Sequence, residues 1–177
     1  MMKLSALLFA GALVAPFSFA APLPAGADFE VGFSPKGGSL ALVLQGIDGA
    51  KSSILVAAYS FTSKPIAESL LSAHKRGVKV QVVADEKSNR KGYSAAQFLA
   101  NQGVPVRLNG NYSIFHHKFM VIDGQHLETG SFNYSAAAAS KNAENVLLLR
   151  NVKPLADKYA VEWTRLWQEA TPLPKAY

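Results

Sequence analysis

Apolar positions change their spacing along this chain, and the changes mark out its elements. Ser53 to Tyr59 and Val78 to Ala84 are apolar without alternation, as expected of strands covered on both faces. Val104 to Leu108 and Asn145 to Leu149 read the same way, while Phe29 to Phe33 alternates and stops at Ser34-Pro35. Helical spacing appears between them. Ser39 to Ile47 is one such stretch, with Ser39 as candidate cap. A second starts at Pro65, repeats through Ile66, Leu70 and Leu71, and ends in a basic turn before Gly77. Tyr93 to Asn101 and Leu155 to Trp167 give two more. Strands alternating with helices call for crossover connections. The expected fold is therefore α/β, a mixed, largely parallel sheet sandwiched between helices.

The pattern shifts between residues 115 and 133, where two strands flank Asp123-Gly124, a dipeptide suited to a tight hairpin turn. If those two residues form the whole turn, Ile122 pairs with Gln125, Lys118 with Thr129 and His116 with Ser131. Directly opposed residues share a face. The register thus predicts His116, Lys118, Ser131 and Asn133 on one face, with His117 on the other.

Composition limits what such a fold does. The chain has 177 residues, room for one domain, and it contains no cysteine, so burial alone holds it together. Lys3, an apolar run from Leu4 to Ala15 and the small residues of Ser18-Phe19-Ala20 make residues 1–20 a signal peptide. A domain over residues 21–177 is expected, exported to the periplasm or beyond, with no stable membrane association after cleavage. Loss of Lys3 leaves 17 basic against 12 acidic residues. That excess favours polyanionic partners, with a local basic loop at Glu86 to Gly92.

A histidine, an ammonium group, a hydroxyl and an amide on one face suit phosphoryl transfer. Histidine serves as nucleophile or as acid and base near neutral pH. Positioned donors stabilise the charge that spreads over the phosphoryl oxygens. A competing arrangement follows from the same register, which puts His117, His126 and Glu128 together as a metal site.

The run His116-His117-Lys118-Phe119-Met120-Val121-Ile122-Asp123 fits the HxKxxxxD signature of the phospholipase D superfamily, and Gly130-Ser131-Phe132-Asn133 fits its GSxN element. With one copy of the motif and this length, the chain resembles the small bacterial endonuclease branch. The resemblance implies a covalent phosphohistidine on His116, with Lys118, Ser131 and Asn133 as phosphate ligands and no metal or other cofactor. It also implies an acidic residue that orients the histidine ring, for which Glu144 is the candidate. Asp123 falls on the opposite parity from His116, and a structural role at the turn is expected. The family chemistry asks for two histidines at one phosphate. One motif per chain therefore implies a homodimer with a shared site. Nucleic acid is the expected substrate. A lipid phosphodiesterase and a nucleic-acid-binding protein without turnover are the alternatives.

Overall fold

The computed structural model describes residues 20–90 and 94–176. All but the last residue of the signal sequence, together with Lys91, Gly92 and Tyr93, lie outside them. The strands are β1 (Asp28–Ser34), β2 (Ser53–Ala58), β3 (Lys79–Asp85), β4 (Val106–Asn109), β5 (Lys118–Ile122), β6 (His126–Gly130), β7 (Glu144–Arg150) and β8 (Thr171–Pro172). The helices are α1 (Ser39–Gly49), α2 (Lys64–Lys75), α3 (Glu86–Asn89), α4 (Ala95–Asn101), α5 (Ala136–Ser140) and α6 (Lys153–Gln168).

These strands form one sheet in the order β1-β7-β6-β5-β2-β3-β4-β8. The α/β sandwich is the expected one, but its parallel part is confined to β2, β3 and β4. The remaining pairings are antiparallel, including β1 against β7. Helices cover both faces. Leu42 and Ile47 of α1 and Leu70 of α2 pack with Ile54, Val56, Met120 and Leu148 on one face. On the other, Trp163 and Leu166 of α6 pack with Phe115, Phe119, Val121 and Leu127. The Trp163 indole donates to the Val56 carbonyl at 2.8 Å, so the stacked pair Trp163 and Trp167 serves the core.

Two local expectations need correction. Ser39 does not cap α1: Gly38 holds that position, and the buried Ser39 hydroxyl has no partner. More consequentially, the hairpin register is displaced by one residue. Asp123 and Gly124 do turn the chain, with φ of 53° and 65°, and the Gln125 amide donates to the Ile122 carbonyl. Gln125 is then an extra residue outside the ladder, and Ile122 pairs with His126, Met120 with Glu128 and Phe119 with Thr129. The Gln125 carbonyl instead accepts the Val152 amide at 2.8 Å, a tertiary bond that dipeptide propensity does not encode.

Candidate active site

The carboxyl ends of the parallel strands β2 and β3 meet the start of β5, the end of β6 and the start of β7 at one end of the sheet. The register places Lys118 opposite Ala58, with Gly130 opposite Val146 and Glu144 opposite Ser34. In α/β sheets this end is the usual place for a ligand.

His116 lies just ahead of β5 and is exposed, while Lys118, the first residue of that strand, is buried at 8% exposure. The Lys118 ammonium donates to the His116 carbonyl at 3.0 Å. Tyr59, at the end of β2, holds both: its ring centre lies 4.8 Å from the His116 ring and 5.1 Å from the Lys118 nitrogen. Behind them, Asp85 accepts the Phe115 amide at 2.9 Å and caps α3 through the Ser88 amide, fixing the residue before His116. Asn89 accepts the Phe61 amide and donates to the carbonyls of Tyr59 and Asp85. Tyr59, Asp85 and Asn89 were not singled out from sequence. A buried acid at the carboxyl end of a buried strand was the available signal for Asp85.

Glu144 stands beside this group. Burial lowers the pKa of Lys118 from its ordinary value, and the nearby Glu144 carboxylate partly restores it. Glu144 accepts a hydrogen bond from the Ser131 hydroxyl at 2.5 Å and another from the Asn142 amide at 2.9 Å. These bonds occupy it instead of the His116 imidazole, the expected partner. Ser131 in turn accepts the Asn145 amide at 3.1 Å.

The displaced register changes how the second motif element arrives. Gly130, at the end of β6, comes level with Lys118, and Ser131 to Asn133 continue beyond the strand. A side chain at Gly130 would put its Cβ 2.2 Å from the Asn145 carbonyl oxygen, so glycine is required for β6 and β7 to close here. Asn133 has a buried Oδ1 with no donor, and no bond ties it to His116 or Lys118. The next residue is anchored: the Tyr134 carbonyl accepts the amides of Thr62 and Ser63 at 2.9 and 2.8 Å.

Asp123 lies at the far end of β5. Its carboxylate accepts the backbone amides of Lys51, Ser52 and Ser53 and the Ser52 hydroxyl. Burial pushes its pKa up, but the amides of Ser53, Ser52 and Lys51 outweigh this and hold it below the ordinary value. Asp123 thus ties the hairpin turn to the start of β2.

The competing metal cluster does not assemble. His117 sits edge-on between Phe115 and Phe119, on the α6 side of the sheet. It is exposed. Glu128 pairs with Met120, on the opposite face, where it is buried and receives the Tyr134 hydroxyl at 2.6 Å. His126 accepts the Asn151 amide. One register step separates what the sequence had grouped. In the basic loop, Arg90 pairs with Glu86, and Lys87 donates to the Ser113 carbonyl.

Residues 43–167 match the family described as cardiolipin synthase, PLD-like domain, and the chain belongs to this phospholipase D-like family. The fold is similar to the phospholipase D family member Nuc from Salmonella typhimurium, with a TM-score of 0.82 and 39% identity over 84% of this chain and 99% of that one. Among curated proteins it is 34% identical over 131 residues to a phospholipase D of Rickettsia felis, covering 74% of this chain and 65% of that protein. It is 35% identical over 124 residues to a mitochondrial cardiolipin hydrolase of Xenopus laevis, covering 70% and 59%. The chain thus spans less than two thirds of the length of these curated relatives.

Proposed function

We propose that this protein is an exported endonuclease that hydrolyses phosphodiester bonds through His116, in a site completed by a second copy of the chain. The observation that carries the reading is the exposed His116 imidazole next to the buried Lys118 at the end of the sheet where α/β folds usually bind ligands. His116 attacks phosphorus and the P–O bond to the leaving group breaks, forming a phosphohistidine. The partner's His116 protonates the departing oxygen, then takes a proton from the water that releases the phosphate. Lys118, Ser131 and Asn133 hold the non-bridging oxygens. Glu144 keeps Lys118 charged and, once substrate displaces its present bonds, orients a histidine ring.

Two features support a second copy. One motif per chain leaves the acid role without an occupant. In addition, the edge strand β1 presents Phe29, Val31 and Phe33 on one face at 61%, 47% and 59% exposure, and this stripe ends at Phe33, opposite Asn145 and one residue along β7 from Glu144. Nucleic acid is favoured over lipid by the net positive charge and by a length matching the whole of Nuc. Among the described residues no helix is long and apolar enough to cross a membrane. The names of the curated relatives favour the second reading, a lipid phosphodiesterase.

Labelled DNA, RNA, phosphatidylcholine and cardiolipin, incubated in parallel with wild-type and His116→Ala protein in excess chelator, separate the readings. Cleavage of nucleic acid by the wild type alone is expected. Lipid cleavage without nuclease activity, or nuclease activity that needs an added divalent metal, contradicts the proposal.

A further inference from the structure

A cleft of about 420 Å³ opens beside His116 and runs along α6. Its near end is formed by His116, His117 and Lys118, and its far wall by Lys158, Tyr159 and Glu162 of that helix. The chemistry assigned to the site uses only the near end.

The far wall has three properties that suit a polynucleotide. Lys158 is exposed and makes no hydrogen bond or ion pair among the described residues. The carboxylate one turn away, Glu162, is neutralised by Arg165, which bonds both its oxygens at 2.6 and 2.9 Å. That pairing leaves Lys158 as the uncompensated charge of the cleft wall. Tyr159 is the third feature: its ring packs edge-on against Phe119 at 5.0 Å, and Phe119 packs in the same manner against His117 at 5.6 Å. The three rings form a braced aromatic row along the cleft, of the kind on which bases and sugars of a single strand rest.

We infer that this cleft is the subsite for the nucleotide next to the scissile phosphate, with Lys158 contacting the flanking phosphate and Tyr159 and His117 lining the wall for its base and sugar. The inference rests on the nuclease reading above. It deepens that reading by assigning one side of the substrate strand to α6. Burial, partly countered by Glu162, lowers the pKa of His117, so its ring lines the wall in neutral form near pH 7. A phospholipid with a single phosphodiester, such as phosphatidylcholine, gains nothing from Lys158 at this place.

The test compares Lys158→Gln and Lys158→Glu with wild type on a single-stranded oligonucleotide and on bis(p-nitrophenyl) phosphate, which has a scissile phosphate and no flanking one. The ratio of kcat/KM on the oligonucleotide to kcat/KM on the small diester should fall several-fold in the glutamine variant and further in the glutamate variant. The slope of log kcat/KM against log salt on the oligonucleotide should become shallower by about 0.7, one phosphate contact on a single strand. An unchanged ratio and slope in a wild type that cuts oligonucleotides overturns the cleft assignment alone. A wild type that hydrolyses cardiolipin vesicles and no oligonucleotide overturns the nuclease reading, and the inference with it.

Discussion

Lys118 works under two opposed influences, burial that discourages its charge and Glu144 that sustains it. Its lowered pKa means that the ammonium is lost at lower pH than an exposed lysine would lose it. The alkaline limb of kcat/KM should therefore fall below the ordinary lysine range. Glu144→Gln should move that limb to still lower pH, and a pH–rate profile of the two proteins checks it. At the other end of the strand, Asp123 accepts from three amides and a hydroxyl. Asp123→Asn should cost about 1–3 kcal/mol of stability, toward the lower end because the carboxylate is half-exposed. Its folded pKa is lowered, so this contribution is present above the ordinary carboxylate pKa and fades as pH falls through the folded value. Chemical denaturation at neutral and acid pH measures both. Motif spacing made these residues legible, and strand parity set Asp123 apart from His116. Tyr59, Asp85 and Asn89 escaped because they reach the site from β2, β3 and α3, through contacts that no local pattern records.

The buried strands and the main helices were legible as elements, since long apolar runs and helical spacing are strong signals. Lost were the pieces whose existence depends on tertiary partners: the two-residue β8 against β4, the short α3 capped by Asp85, and α5 within an alanine run. The hairpin register was lost for the same reason, because Gln125 bonds to Val152 from across the fold. That single step carried Glu128 from the face of His117 to the face of Met120, where burial pushes its pKa up to about 8. The folded chain then holds a proton on Glu128 that the unfolded chain releases near 4.5. The stability this contributes is complete below that value and is lost as pH rises through about 8, at a slope of up to roughly 1.4 kcal/mol per pH unit. Glu128→Gln keeps a neutral partner for the Tyr134 hydroxyl and should flatten the decline. Melting temperatures of the two proteins between pH 5 and pH 8 decide it: parallel curves would mean that Glu128 is ionised in the fold.

At the scale of the whole molecule, the sheet gathers Lys118, Ser131 and Glu144 at one end and leaves His116 open to solvent, while β1, separated from β5 by β7 and β6, exposes an apolar edge. The central claim is that two such ends meet, so that one phosphate lies between two copies of His116. Co-expression of wild-type and His116→Ala chains, pairing at random, tests it most directly. If both histidines are needed, specific nuclease activity falls as the square of the wild-type fraction. A linear fall, or full activity from a monomer at assay concentration, contradicts the shared site and places the second catalytic group within a single chain.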